Sequence, residues 1–304
     1  MSAFVGIDVC KAWLDVAVLG QPETRRFANS ASGFRKLARW LAPLKPARVV
    51  LEATGGYEQA ALDDLHEAGL PLVRINPRQA RDFAKATGQL AKTDALDAWV
   101  LAKMAAAEIG TLYQPKADWQ RRLAQWHHRR THLVQMLTSE KQRLSQLRDP
   151  DLVMAGKAHV AFLQKQLRMV QSEIAKQLQR RELAPLRTLQ GAGPVLQATL
   201  ACEVPELGQL TGKQVAKLVG VAPLCRDSGT SRGKRVTWGG RARVRTVLYM
   251  ATLAAIRHEP RLRDFYQQLR SRGKASKVAI TACMRKLLVI LNARVRDSRR
   301  EAFC

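Results

Sequence analysis

A chain of 304 residues with 46% hydrophobic content is long enough for two domains with packed cores, which excludes a disordered or fibrous polypeptide. Fifty-one Lys and Arg against 25 Asp and Glu leave a formal charge of +26, a balance that seeks a polyanion and makes nucleic acid the expected partner. No apolar run of membrane-spanning length and no signal-peptide pattern is present, so no membrane partner and a cytoplasmic location are expected.

Residues 1–112 read as an α/β domain with a mixed sheet. Apolar residues run into Asp8 and resume after it in FVGIDVCKAWLDVAVLG, which predicts strands at about 3–9 and 13–19 joined as a hairpin. A third strand near Arg25 to Ala28 and a helix from Ser32 to Leu41 follow. The β-branched run Arg48-Val49-Val50-Leu51 then delivers Glu52 at a strand end. A helix from Tyr57 to Ala68, a short strand from Leu70 to Ile75 and further helices complete the domain. In KTDALDAWVLAKMAAAE, Asp94 and Asp97 stand three residues apart on an expected helix, so both carboxylates share a face. Singly, each of these acids also fits a turn or cap residue. As an ordered set of four, Asp8, Glu52, Asp94 and Asp97 match the oxygen ligands that two Mg²⁺ ions roughly 4 Å apart require for phosphoryl transfer.

The charge is unevenly spread. Residues 1–112 hold 14 basic and 12 acidic groups, residues 113–185 hold 14 and 6, and residues 186–304 hold 23 and 7. A nearly neutral front domain that spends its acids on metal precedes two segments suited to gripping phosphate. Cys10, Cys202, Cys225, Cys283 and Cys304 form no CxxC pair, which indicates neither zinc nor a disulfide framework and fits a reducing compartment. His128 and His132 are spaced as a helical metal pair, but with Arg129 and Arg130 between them and no third ligand near they read as a solvated or phosphate-facing surface.

From Asp118 to about Arg181 the period becomes a heptad. Leu123, Trp126, Leu133, Leu137, Leu144 and Leu147 occupy a and d slots, and Val160, Leu163, Leu167, Val170 and Ile174 begin a second stripe after Asp149-Pro150. Residues 113–185 are therefore expected as a coiled-coil helical segment, with its narrow seam favouring a role in assembly over internal packing alone.

Residues 186–304 read as a mainly helical third domain. Its turn Gly191-Ala192-Gly193-Pro194 resembles a helix-hairpin-helix turn able to hold phosphate, with an ordinary interhelical turn as the alternative. Further on, Arg226 to Arg245 carries seven cations against the single acid Asp227, with four glycines. Arg226, Arg232, Lys234, Arg235, Arg241, Arg243 and Arg245 are the candidate nucleic-acid contacts, and Ser228 lies among them. A serine attacks phosphorus only when its alkoxide is stabilised, and clustered guanidinium groups also neutralise transferring oxygens. Chemistry alone leaves Ser228 as either a nucleophile or a plain turn residue.

The segments GIDVCKAWLDVAVL, LEATGGYE, INPRQARDFAKATGQLAKTDALDAWVLA, VGVAPLCRDSGTSRGKR, GGRARVRTVLYMA and GKASKVAITACMRKLLVILNA occur in order over nearly the full length. Together they resemble the DEDD transposases of the IS110 insertion-sequence family, relatives of the Piv DNA invertases. The resemblance implies a RuvC-like (RNase H fold) front domain, a coiled-coil middle and a C-terminal transposase domain. It gives Asp8, Glu52, Asp94 and Asp97 the Mg²⁺-binding DEDD positions, and Ser228 the position of a nucleophile that forms a covalent phosphoserine link to DNA. It further implies donor and target DNA as substrates, an element-encoded structured non-coding bridge RNA as guide, and homodimers that assemble into tetramers. Two other readings stand beside it: a RuvC-like metal-dependent nuclease or Holliday-junction resolvase that uses water, and a non-catalytic nucleic-acid-binding protein.

Overall fold

The computed structural model describes residues 3–89, 93–225, 227–228, 231–233 and 235–301, without the side chains of residues 94, 95, 231 and 232. It divides into two compact units, Met1–Pro115 and Lys116–Cys304.

The first unit contains β1 (Phe4–Val9), β2 (Trp13–Val18), β3 (Arg25–Ala28), α1 (Ala31–Leu41), β4 (Arg48–Glu52), α2 (Gln59–Glu67), β5 (Leu72–Ile75), α3 (Pro77–Ala86) and α4 (Asp94–Ala106). The strands form one mixed sheet in the order β3-β2-β1-β4-β5. β1 pairs antiparallel with β2, as the expected hairpin requires, and parallel with β4, which pairs parallel with β5. α1 starts one residue earlier than its sequence pattern suggested because Ser30 caps it, accepting from the Gly33 N–H. α2 starts later, at Gln59, because Gly55 and Gly56 take positive φ and hold the chain in a loop.

Alternation along β1 and β4 sorts the two faces of the sheet. Val5, Ile7, Val49 and Leu51 pack with Phe34, Leu37, Leu62 and Leu65 of α1 and α2. Val50 packs on the opposite face with Leu101, Met104 and Ala105 of α4. Gly6 shares that second face, and a Cβ built on it would stand 2.1 Å from the Ala98 carbonyl oxygen and 2.3 Å from the Ala102 nitrogen. The glycine is required because backbone lies on backbone there.

The second unit contains α5 (Asp118–Leu144), α6 (Pro150–Gln177), α7 (Ala184–Arg187), α8 (Pro194–Glu203), α9 (Gly212–Val219), β6 (Asp227–Ser228), β7 (Ser231–Arg232), α10 (Ala242–His258), α11 (Pro260–Ser271) and α12 (Ser276–Glu301). α5 and α6 form an antiparallel hairpin, with His159 Nδ1 3.4 Å from Glu140 near the turn and Arg122 3.6 Å from Glu173 at the far end. Asp149 caps α6 and Pro150 occupies its first turn, as the breaker in the sequence implied. Buried Leu123, Leu133, Leu163, Val170 and Ile174 share one core with Leu196, Leu248 and Leu287 of the later helices. The heptad seam is thus also the floor of a larger helical core. His127, which lies between the seam residues and was not singled out by spacing, is buried against the Thr199 hydroxyl, and burial lowers its pKa to about 4. Gly191, at φ +93°, lies against Ala255 of α10, so close packing accounts for that turn. Among the described residues no helix is long and apolar enough to cross a membrane.

Replacing Gly6 with Ala tests the backbone contact. Overpacking of this kind costs about 1–3 kcal/mol, because α4 must shift away from β1. Urea unfolding of the variant beside wild type checks this; an unchanged midpoint would exclude the contact.

Candidate active site

Asp8 and Glu52 reach the same end of the sheet by parallel pairing. The β1–β4 register matches Ile7 with Leu51, so the next position places Asp8 beside Glu52 on neighbouring strands, about 4.8 Å apart along the backbone. Both are half-buried, and both stand on the face that carries Gly6 and Val50, beneath α4.

The direction of α4 decides where its acids go. Beyond its C-terminus, the carbonyls of Ile109 and Gly110 accept from Arg48 Nη1 at 3.3 and 3.1 Å, and Arg48 pairs with Phe4 at the start of the parallel strands. α4 therefore ends over the beginnings of β1 and β4 and starts over their ends, where Asp8 and Glu52 stand. Thr93 fixes that start by accepting from the Leu96 N–H. Asp97, one turn in, is half-buried. The backbone of Asp94 opens the helix on the same side, while its side chain lies outside those described. Among the described residues no three His, Cys, Asp or Glu side chains are clustered tightly enough to hold a metal ion. Their hard oxygen donors, supplied by adjacent strands and one helix, fit Mg²⁺ by chemistry.

Three residues that spacing did not flag support this end. Asp15, directly opposite Asp8 on β2, is buried and takes a bidentate bond from Arg26 at 2.8 and 2.9 Å. Glu58 is buried in the loop after Glu52, where it accepts from the N–H groups of Thr54 and Gly56 at 3.0 and 2.9 Å and faces Arg74 at 3.7 Å. Asn29 donates to the carbonyls of Cys10 and Tyr57 at 2.8 and 3.1 Å, tying the loop after Asp8 to the loop after Glu52. LEATGGYE offered a signal for Glu58, since an acid two residues past a Gly-Gly pair is placed to gather exposed N–H groups.

In the second unit Ser228 is exposed on the two-stranded ribbon β6–β7, with Ser228 paired to Ser231 and Asp227 to Arg232. The ribbon stem continues in the Leu224–Val236 bridge. Below it, a Cβ on Gly220 would meet the Gly239 carbonyl at 2.2 Å, and one on Gly240 would meet the Gly220 nitrogen at 2.4 Å. These glycines let two backbone segments touch and anchor the stem.

The seven candidate cations divide by environment. Arg226 and Lys234 lie outside the described residues, as does the side chain of Arg232. Arg235 is exposed at the stem. Arg241 makes two bonds to Glu206 at 2.7 and 2.5 Å; burial favours a protonated Glu206, but the Arg241 bonds outweigh it and lower the pKa. Arg243 sits 3.4 Å from Glu203 and 3.4 Å from His128 Nε2. Arg245 donates to the carbonyls of Val219 and Gly239, bridging the two glycine segments. Composition counted these side chains as phosphate ligands without access to the acids and carbonyls that occupy three of them.

The division is measurable. Arg235→Ala should reduce the salt dependence of DNA binding by about one phosphate contact with unfolding unchanged. Arg245→Ala should instead lower stability by about 1–3 kcal/mol and leave the slope of log affinity against log salt unchanged in the folded protein. The opposite pattern would contradict the assignment.

Two family models match the chain, the first covering the front unit and continuing through α5, the second lying wholly in the second unit. A family model for the DEDD transposases of IS110, described as Transposase, matches residues 5–149, and one described as "Transposase IS116/IS110/IS902 family" matches residues 183–267. The chain is 27% identical over 316 residues to the pilin gene-inverting proteins of Moraxella bovis and of Moraxella lacunata, covering 97% of this chain and 96% of each relative. It is also 28% identical over 135 residues to an IS110 insertion-element protein of Streptomyces coelicolor, covering 43% of this chain and 33% of that one. With the mixed-sheet unit and α5 under the first match and the helices bearing the serine ribbon under the second, the chain belongs to the IS110 family of transposases, which are DNA recombinases.

Proposed function

We propose that this protein cuts and rejoins the DNA of a mobile element through a covalent phosphoserine intermediate at Ser228. Asp8, Glu52, Asp94 and Asp97 would hold Mg²⁺, and a structured bridge RNA would guide the choice of DNA. The reading takes the front unit as a RuvC-like domain, with which its mixed sheet is compatible. The observation that carries it is the parallel β1–β4 register, matched as far as Ile7 and Leu51, which brings the following residues Asp8 and Glu52 to one end of the sheet at the start of α4.

Each residue has a chemical task. The Ser228 hydroxyl loses its proton and attacks phosphorus. The phosphorus–oxygen bond to one deoxyribose breaks, that oxygen takes up a proton, and the phosphate remains esterified to serine. Arg235 and the neighbouring cations of the ribbon offset charge on the non-bridging oxygens. When a hydroxyl of another DNA end attacks the ester, Ser228 is released and a phosphodiester is restored. Mg²⁺ at the carboxylates would lower the cost of negative charge on the attacking and leaving oxygens.

Recombination favours this route over hydrolysis. DNA inversion, the activity in the names of the Moraxella relatives, and transposition both rejoin strands, and a serine ester retains the bond energy that water would dissipate. The formal charge of +26 suits both an RNA guide and DNA. Met154, Phe162 and Met169 leave an exposed apolar row on α6, which supports homodimers that assemble into tetramers.

Ser228→Ala should abolish strand cleavage with binding nearly intact, while Ser231→Ala remains active. Labelled DNA incubated with wild-type protein, RNA and Mg²⁺ should migrate with protein on a denaturing gel, the label mapping to Ser228. Cleavage by Ser228→Ala, with no adduct in wild type, would assign the attack to water.

A further inference from the structure

A cavity of about 1130 Å³ opens in the second unit where both stems of the serine ribbon meet α9, α11 and α12. It exceeds the roughly 300–1,000 Å³ of a small-molecule cleft. Val221, Pro223, Val278 and Val289 give it an apolar floor. Among the described residues five cations, Lys213, Arg235, Lys277, Arg285 and Lys286, line it, and no carboxylate does. Lys286 is held in place over the Phe265 ring, 4.2 Å from its centroid.

We propose that this groove seats a short unpaired stretch of the DNA strand that Ser228 cuts, bases against the apolar floor and phosphates on the cations. A basic groove with an apolar floor suits a single strand, because unpaired bases present apolar faces that a duplex keeps stacked inside, and here aliphatic Val and Pro side chains receive them in place of an aromatic platform. A duplex contacts protein mainly through phosphates and groove edges, and gains little from the floor. Five cations without an acid match a polyanion and disfavour an acidic or neutral peptide. The position fixes which strand it is. Pro223 and Arg235 line the groove, the Leu224 N–H donates to the Val236 carbonyl at 2.9 Å across the stem, and Ser228 is four residues beyond Leu224, at most roughly 14 Å along the chain. A strand lying in the groove is delivered to the ribbon tip. The identity of the strand rests on Ser228 being the nucleophile, but binding in the groove does not.

The test uses the full-length protein and fluorescein-labelled oligonucleotides of one sequence, as single-stranded DNA, duplex DNA and single-stranded RNA, read by anisotropy without Mg²⁺. Wild type should prefer single-stranded DNA over RNA. Val278→Glu, at a side chain 56% exposed, should weaken single-stranded DNA by about tenfold because it sets a carboxylate in the path of the phosphates, and should change duplex binding less than twofold. Lys277→Ala should lower the single-strand salt slope by about 0.7. Ser228→Ala should bind like wild type, so a failure of the nucleophile assignment leaves this result standing. Equal losses for single strand and duplex in Val278→Glu, or no loss for either in both variants, would overturn the proposal. A preference for the RNA would overturn it in favour of a guide-binding groove.

Discussion

A helix can lie directly on a strand only where no side chain intervenes, and at Gly6 the carbonyl of Ala98 and the amide of Ala102 occupy the space a Cβ would need. That contact fixes the height of α4 above β1, and Arg48 fixes its direction by holding the carbonyls just past its C-terminus. Once height and direction are set, the first turn of α4 has one place to go, over the ends of β1 and β4. The ends of β1 and β4, with Asp8 and Glu52, and the first turn of α4 thereby come to one edge. The two further acids at this edge are paired locally, Asp15 with Arg26 and Glu58 with Arg74 and backbone N–H groups.

The second unit applies a similar device to a different end. Gly220, Gly239 and Gly240 bring backbone against backbone, Arg245 crosses between them, and the two-stranded ribbon rises from that base with Ser228 exposed. A serine on a ribbon anchored at its stem is presented to solvent without breaking a packed core. The surrounding charge does two jobs. Arg241 and Arg245 hold the scaffold, while Arg235 and the cations of the neighbouring cavity remain at the surface.

Much of the front unit was legible because strands write themselves with period two. β1 and β2 are short apolar runs, each interrupted by one acid, and Glu52 ends a run that contains the β-branched pair Val49-Val50. What spacing could not give was the direction of α4, since that depends on Arg48 reaching carbonyls more than sixty residues away. Asp15 escaped notice for a related reason: its position opposite Asp8 is set by hairpin register, which the two sequence segments do not state separately. In the rear unit the heptad correctly indicated two long helices, but a stripe cannot name what covers it, and here the later helices share its core. The count of cations in Arg226 to Arg245 likewise carried no information on partners, so Arg241 and Arg245 were grouped with the exposed Arg235.

The central claim is that Asp8 and Glu52, neighbours by parallel register, serve one cation together. Titration of the full-length protein with Mn²⁺ as a paramagnetic substitute for Mg²⁺, followed by electron paramagnetic resonance, measures this without catalysis. The account predicts that Asp8→Asn and Glu52→Gln each weaken binding at least roughly tenfold, the lower end of what even an outer partner of a metal costs, while Asp82→Asn, on exposed α3, leaves it unchanged. Mn²⁺ affinity equal to wild type in both Asp8→Asn and Glu52→Gln would contradict it.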